Sequence, residues 1–213
     1  MKIKWLGHAA FLITSDDGTR IITDPYETSP GLKYGKINET ADIVTVSHNH
    51  TDHNNTAAVR GSPKVVRNTV EIKGITIKAV PTAHDDKGGS ERGGNMVFCF
   101  QVDGVRIVHL ADLGHPLTDT QVADIGEVHV LLVPIGGTFT IDARAAQKVC
   151  DRLGPRVIIP MHYKNDKCSF LSGGVEEFIR GKTNVTRVDG SEISLSLPDL
   201  PTGPQIMILK SAL

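Results

Sequence analysis

The sequence predicts a layered α/β fold, in which two mixed β-sheets pack face to face with helices outside. Three observations indicate it. Hairpin-rich segments fill the first half, strand–helix–strand units follow in the second half, and acidic or histidine side chains repeatedly come directly after β-forming runs. The 213 residues are enough for one domain with a sizeable core, so residues 1–213 are expected to form a single domain.

Short strands joined by tight turns are predicted for the first half. Residues 43–47 are a nearly continuous β-branched run, typical of a strand that is buried on both faces. Asp103-Gly104 is an open type I′ turn signal, and the glycine-rich, charged segment 85–95 is predicted to be a mobile surface loop. Asn54, Asn55 and Thr56 are candidate caps for a short helix that is expected to end at Arg60. The predicted strands are 3–5, 10–14, 20–23, 43–47, 64–67, 70–73, 75–80, 96–102 and 105–110.

The second half alternates between helices and buried-type strands. Its clearest helix is predicted over 143–153, with Thr140 or Asp142 as N-cap and Gly154-Pro155 as the stop signal. The other predicted helices are 119–125 and 175–180. The predicted strands are 128–134, 156–161, a closing hairpin of 185–188 with 193–197, and 206–209.

Composition narrows the function classes. The hydrophobic content of 39% and charged content of 22% are those of a globular protein, and the net charge of −1 gives no long-range attraction to nucleic acid or to an anionic membrane. No apolar run approaches the length of a transmembrane helix. Cys99, Cys150 and Cys168 form no CxxC pair, so we expect no disulfide and a reducing, cytoplasmic location.

The segment from His48 to His53 (HNHTDH) carries the strongest chemical signal. His48, His50 and Asp52 follow one another at two-residue steps, which places side chains on one side of an extended chain. His53 breaks this alternation, which suits a second metal beside the first. The alternative is a polar turn whose histidines cap the following helix.

Four further residues follow β-forming runs in the same way: Asp24, His84, Asp112 and His162. The carboxyl ends of strands in layered folds meet at one edge of a sheet, so we expect these side chains to share a site with the histidine segment. Any one of them alone would more readily be structural.

The ordered set of Asp24, the HxHxDH segment, His84, Asp112 and His162 resembles the five signature motifs of the metallo-β-lactamase superfamily. Flanking sequences are similar to its small metal-dependent hydrolase branch, which includes the ascorbate phosphate lactonases. The resemblance covers residue 1 to about 197, and the tail 198–213 lies outside it. The flanking sequences are Gly7-His8-Ala9-Ala10-Phe11, Thr23-Asp24-Pro25, LVPIGG at 132–137 with the following Thr138-Phe139-Thr140, and Pro160-Met161-His162-Tyr163.

The resemblance implies a four-layer αββα sandwich with two divalent metal ions at one edge. His48, His50 and His84 would hold the first ion. Asp52, His53 and His162 would hold the second, and Asp112 would bridge both. Asp24 would orient the ligands by hydrogen bonds. Nitrogen and oxygen ligands favour zinc, with manganese, iron and nickel as alternatives.

The implied activity is metal-dependent hydrolysis, in which a metal-bridging hydroxide cleaves an ester, lactone, amide or phosphoester of a small polar substrate. Asp52, Asp112 and His8 are the expected catalytic residues. Candidate substrate contacts are Gly137, Thr138, His115 and Lys164, although His115 could also be an ordinary surface residue. Lys87, Arg92, Lys164 and Lys167 lie on loops flanking His84 and His162, where they could be ordinary solvated residues or could meet a carboxylate or phosphate of the substrate.

One departure from the branch concerns the bridging acid. Ala111-Asp112-Leu113 stands where Gly-Asp-Thr is common, so a hydroxyl that would orient Asp112 is missing. A nuclease or phosphodiesterase is the alternative enzyme, and a non-catalytic metal-binding scaffold is the alternative of another class. We expect a small-molecule substrate and no nucleic-acid or membrane partner. If the protein is a homo-oligomer, the tail 198–213 is the segment expected to pack on a neighbouring subunit.

Overall fold

The computed structural model describes residues 1–213, which form fourteen strands and three α-helices. The helices are α1 (Asp119–Ile125), α2 (Ala143–Leu153) and α3 (Val175–Ile179). The strands are β1 (Lys2–Gly7), β2 (Ala10–Thr14), β3 (Arg20–Thr23), β4 (Ile43–Thr45), β5 (Lys64–Val66), β6 (Val70–Ile72), β7 (Ile75–Ala83), β8 (Gly94–Val102), β9 (Val105–His109), β10 (Val130–Pro134), β11 (Val157–Met161), β12 (Val185–Arg187), β13 (Glu192–Ser194) and β14 (Gln205–Ile208).

The strands form two mixed sheets, as the sequence predicts. The six-stranded sheet has the order β13-β1-β2-β3-β4-β5, and the eight-stranded sheet has the order β12-β14-β11-β10-β9-β8-β7-β6. Strands β6 to β9 are antiparallel neighbours, whereas β9, β10 and β11 run parallel. Every residue of β10 and β11 is buried, which is the pattern of parallel strands covered on both faces.

One continuous apolar cluster joins the two sheets, with Phe11 and Ile13 from β2 and Phe98 and Phe100 from β8 among its members. The helices pack at the eight-stranded sheet, α1 on β7 and α2 on β10, while α3 contacts α2. None of them has the length and apolar character needed to span a bilayer.

The edge at which strands β3, β4, β7, β9 and β11 end carries the candidate site. Strands β3 and β4 are parallel with Thr23 opposite Thr45, so Asp24 and the segment after β4 leave the sheet side by side. Strand β8 is antiparallel to both β7 and β9, which makes these two strands end at the same edge. The predicted convergence of strand ends is therefore confirmed.

Two local predictions are wrong. The segments 185–188 and 193–197 do not form a hairpin, because β12 pairs with β14 in one sheet and β13 pairs with β1 in the other. The helix expected over 54–60 is only a 3₁₀ turn at Thr56–Ala58. Its expected caps are used elsewhere, since the Asn54 amide donates to Asn49 and the Asn55 amide donates to the carbonyl of Tyr26.

The Asp103-Gly104 turn is confirmed, since both residues have positive φ (49° and 77°) as a type I′ turn requires. The tail contributes β14, which lies between β11 and β12 and pairs with both in parallel. This strand is part of the eight-stranded sheet, so the tail belongs to the folded domain.

Candidate metal centre

The Asp112 carboxylate lies at the middle of a cluster of histidines. Its Oδ2 is 3.2 Å from Nε2 of His53 and 3.2 Å from Nε2 of His84, and its Oδ1 is 3.3 Å from Nε2 of His162. The His48 Nε2 atom is 3.9 Å from Oδ2. Residues that are far apart in sequence therefore bring four imidazole nitrogens to one carboxylate.

Asp24 fixes the orientation of two of these imidazoles. Its Oδ2 accepts hydrogen bonds from His53 Nδ1 at 3.0 Å and from the Ser47 hydroxyl at 2.5 Å. The Ser47 Oγ in turn accepts from Nδ1 of His48 at 2.9 Å. With protons on both Nδ1 atoms, the Nε2 lone pairs of His48 and His53 face the cluster, as metal ligation needs.

Several buried polar atoms of the cluster make no hydrogen bond. They are the Nε2 atoms of His48, His53 and His162 and the Oδ1 atom of Asp112. Buried polar groups without a partner cost free energy, and a divalent cation is the partner that imidazole nitrogens and carboxylate oxygens share. The donor set therefore fits metal ions.

The ligand atoms fall into three groups close enough to hold an ion: His48 with His50 and His84, His8 with Asp52, His53 and His162, and Asp24 with His48 and His53. The first two groups contain the ligands expected for the two ions, and His8 is an addition to the second. The His8 Nε2 atom lies 3.2 Å from Oδ2 of Asp52, and the His8 ring packs on His162 with centroids 4.1 Å apart.

Burial and neighbouring charges together control ionisation in this cluster. Burial lowers the pKa of His48 to about 3 and the pKa of His8 to about 4, with neighbouring histidines adding to the effect. Both rings are therefore neutral near pH 7. Burial alone would raise the pKa of Asp112, but the charges of His162 and His53 outweigh it and hold that pKa well below its usual value.

The backbone around the cluster is strained. His8, Asp24, Ala111 and His162 have positive φ values of 51°, 36°, 49° and 50°. Non-glycine residues rarely adopt this left-handed conformation, and it persists where the surroundings dictate it. Each of these residues is, or directly precedes, a predicted site residue, and no sequence pattern indicates the strain.

A side chain from another strand holds the backbone at Asp112. The backbone N–H of Asp112 donates to Oδ1 of Asn95 at 3.1 Å, and the Asn95 amide donates to Thr82 Oγ1 and to the carbonyl of Leu110. Asn95 is buried on β8, and sequence reasoning misses it because a single asparagine at a strand start carries no distinctive pattern.

Two glycines allow the ligand-bearing segments to come close to their neighbours. A Cβ on Gly114 would lie 2.3 Å from the backbone of His84 and Asp85, and a Cβ on Gly136 would lie 2.3 Å from the carbonyl oxygen of His162. In sequence, Gly136 is distinguished only as part of the LVPIGG run. Its position in the fold explains why a side chain is excluded there.

The four candidate substrate contacts differ in how far their polar groups are already hydrogen-bonded within the protein. His115 accepts from the N–H of Ala83 through Nε2 and contacts the carbonyl of Pro116 through Nδ1, which leaves no ring nitrogen for a substrate. The Thr138 hydroxyl is bonded to Ser172, and Gly137 turns the chain with φ of 74°. Lys164 is exposed after His162.

The 85–95 segment is more ordered than a mobile loop. The Asp85 carboxylate accepts hydrogen bonds from the backbone N–H groups of Lys87, Gly89, Glu91 and Arg92. Burial opposes ionisation of Asp85, but these four donors hold its pKa at about 2. A single acid therefore organises the loop that begins directly after His84.

Comparison with known proteins gives a consistent family. Residues 2–162 match the Beta-lactamase superfamily domain. A UPF0173 metal-dependent hydrolase from Carboxydothermus hydrogenoformans is 33% identical over 192 residues, which cover 76% of this chain and 84% of the relative. A similar protein from Thermococcus kodakarensis is 33% identical over 193 residues, with the same shares covered.

Solved structures agree with this family. A crystal structure from Thermotoga maritima, assigned as a zinc-dependent hydrolase of the metallo-β-lactamase superfamily, has a TM-score of 0.80 and 38% identity, and covers 98% of this chain and 97% of that one. An isothiocyanate hydrolase from Delia radicum gut bacteria shares the fold at 15% identity, with a TM-score of 0.66 and coverage of 92% and 100%. The chain therefore belongs to the metallo-β-lactamase superfamily, within the group of metal-dependent hydrolases that the closer relatives represent.

Proposed function

We propose that this chain holds two divalent metal ions, preferably zinc, and hydrolyses an ester, lactone, amide or phosphoester bond of a small polar substrate. The observation that carries the proposal is the set of buried, unpaired Nε2 atoms around the Asp112 carboxylate. Such a set has no evident structural use without a cation.

The proposed ligands divide into two groups that meet at Asp112. His48, His50 and His84 hold one ion, and Asp52, His53 and His162 hold the other. His50 is exposed and Asp52 is partly exposed (29%), whereas the remaining ligands are buried. The open side of the centre therefore lies at His50 and Asp52, and this is where a small substrate would enter.

Two metal ions would supply an electrophile and a water of pKa about 7, so that no strong separate base is required. The residues of the chain position this chemistry. Asp24 holds the imidazole of His53, Asn95 holds the backbone of Asp112, and the buried ring of His8 lies within hydrogen-bonding distance of Asp52. We assign His8 as the residue that keeps Asp52 oriented during turnover.

The cysteines argue against a thiol nucleophile. All three are buried and free, and burial raises the pKa of Cys99 to about 11 and the pKa values of Cys150 and Cys168 to about 12. A thiolate is the reactive form, so these thiols are inert near neutral pH.

We also propose a cytoplasmic location, since three buried free thiols suit a reducing compartment.

The test is to reconstitute the protein with zinc, manganese, iron or nickel and to assay a panel of lactones, carboxylic esters, phosphoesters and amides. We expect hydrolysis of at least one class. The variants His50→Ala and Asp112→Asn should reduce its kcat by at least about a hundredfold while circular dichroism stays unchanged. Gln101→Ala, which changes an exposed residue of β8, is the control.

Other outcomes would favour the alternatives. Salt-dependent binding and cleavage of oligonucleotides would favour a nuclease, against which the net charge of −1 counts. Stoichiometric metal binding without turnover on any substrate class would favour the scaffold. Full activity of the Asp112→Asn variant would contradict the proposal outright.

A further inference from the structure

The environment of Arg92 differs from that of Lys87 and Lys167, two other cations near the site. The Lys87 ammonium pairs with Glu91 at 2.5 Å, and the Lys167 ammonium is bonded to Ser211 and to the carbonyl oxygen of Leu213. Arg92 makes no ion pair. Its guanidinium instead lies over the ring of Phe139, 4.3 Å from the centroid.

The loop that carries Arg92 is fixed at both ends of its turn. The Arg92 N–H donates to Asp85 Oδ2 at 2.8 Å, and the carbonyl of the next residue, Gly93, accepts from the N–H of His84 at 3.0 Å. The backbone that carries the Arg92 side chain is thus bonded directly to that of His84, a proposed metal ligand. An exposed but positioned guanidinium loses less conformational entropy on binding than a free lysine side chain.

The ring under Arg92 leads to the metal centre. Phe139 packs on Phe170 with centroids 6.0 Å apart, and Phe170 meets His8 edge-on at 5.9 Å. Both phenylalanines are only half-buried. The two rings continue into the buried ring of His8. Together they form an apolar surface, hereafter the Phe139–Phe170 wall, between Arg92 and the proposed second ion.

We propose that Arg92 is a positioning residue that binds an anionic oxygen group of the substrate, a carboxylate or a phosphate, while the apolar part of the substrate lies against the Phe139–Phe170 wall. The inference rests on the proposed function, because it orients a substrate toward that centre. The planar guanidinium can give two parallel hydrogen bonds to such a group and keep its contact with the ring below.

The test measures binding without hydrolysis. Metal-loaded protein is titrated calorimetrically with 3-phenylpropionate, 2-phenylethylphosphonate and the neutral 3-phenylpropan-1-ol. Arg92→Gln should weaken binding of at least one of the two acids by about tenfold or more, the range of charged hydrogen bonds. Binding of the alcohol should stay within about twofold. The acid that responds identifies the group recognised.

Lys87→Gln is the matched control, because it removes one positive charge from the same loop. It should leave all three affinities within about twofold of the wild type. Arg92→Lys should recover part of the affinity for the acid, since the charge is kept and the planar fork is lost.

Four results would overturn the proposal. They are unchanged acid affinity in Arg92→Gln, an equal loss of affinity for the alcohol in that variant, an equal loss of acid affinity in Lys87→Gln, and a wild type that binds neither acid more tightly than the alcohol. Failure of the proposed function is separable. If no substrate is hydrolysed but the acids still bind in an Arg92-dependent way, the subsite stands and the hydrolase proposal falls.

Discussion

At the scale of single residues, Asp24 shows how an acid that need not touch a metal can determine the geometry of a site. It is fully buried and accepts from Ser47 and His53. Burial would raise its pKa, but the hydrogen bond from His53 and the charges of His109, His53 and His48 together outweigh burial and lower the pKa. Asp24 is therefore ionised near neutral pH and sets which nitrogen of His53 carries the proton.

The variant Asp24→Asn tests this role. An amide can donate as well as accept, so the orientation of the His48 and His53 rings becomes ambiguous. We expect zinc affinity to fall by about 10–100-fold, as for other partners of ligating histidines, with the fold retained. Zinc titration against a chromophoric chelator measures this affinity, and Asp17→Asn, which changes an exposed residue of the turn after β2, is the control. Wild-type affinity in Asp24→Asn would refute the assignment.

The seven proposed ligands could be proposed from sequence. The HxHxDH segment is distinctive in its residue types and spacing, and His84, Asp112 and His162 follow β-forming runs and match the motifs of the metallo-β-lactamase superfamily. Asn95, Ser47 and Asp85 could not be proposed, because each acts through hydrogen bonds to backbone or to a neighbour that only the fold brings near. The Phe139–Phe170 contact was also beyond sequence reasoning, since the two rings come from separate segments that only the fold brings together.

At the scale of secondary-structure elements, the strand ends hold the site together, and glycines permit their close approach. Gly136 follows β10 and lies against the carbonyl of His162, which follows β11. Because that carbonyl is backbone, a clash there cannot be relieved by a rotamer change.

We therefore expect Gly136→Ala to move the His162 segment and to cost about 1–3 kcal/mol in unfolding free energy. Zinc affinity should fall together with stability. Gly190→Ala is the matched control, because no atom lies within 4 Å of the place that its added methyl group would take, and its φ is ordinary. Urea unfolding and zinc titration measure both effects, and equal stability of the two variants would contradict this account.

Element types followed from periodicity, but pairing did not. The boundaries of α1 and α2 are those predicted, because each has a clear N-cap, Thr118 for α1 and Asp142 for α2. The β12 and β13 segments look like a hairpin in sequence. They separate because each finds a partner strand from a distant part of the chain, and local pattern carries no information about such partners.

At the scale of the whole molecule, the free energy of unfolding should depend on pH through ionisable groups that lie away from the metal centre. Glu39 accepts from Lys4 of β1 at 2.8 Å and from Arg20 of β3 at 2.9 Å. The hydrogen bond from Lys4 is the main cause that lowers the pKa of Glu39 below 4.5. Its stabilisation is thus complete above 4.5 and is lost as pH falls through the lowered pKa.

The variant Glu39→Gln should be less stable than the wild type by about 0.5–1 kcal/mol near neutral pH, since the group is partly exposed and screened. The difference should shrink below pH 4.5, where the unfolded carboxyl protonates. Urea unfolding with a chelator present at several pH values separates this from metal loss. Glu71→Gln is the control, because Glu71 is an exposed residue of β6. A stability difference that is independent of pH, or an equal loss in Glu71→Gln, would show that the ion pairs of Glu39 are not its source.

The central claim is that strand ends from both sheets assemble a two-metal centre around Asp112. Anomalous diffraction at the zinc edge from zinc-loaded crystals tests it most directly. We predict two peaks, each about 2.0–2.2 Å from an oxygen of the Asp112 carboxylate. One peak would lie among His48, His50 and His84, and the other among Asp52, His53 and His162. The absence of any peak beside Asp112, or zinc bound only elsewhere, would contradict the account.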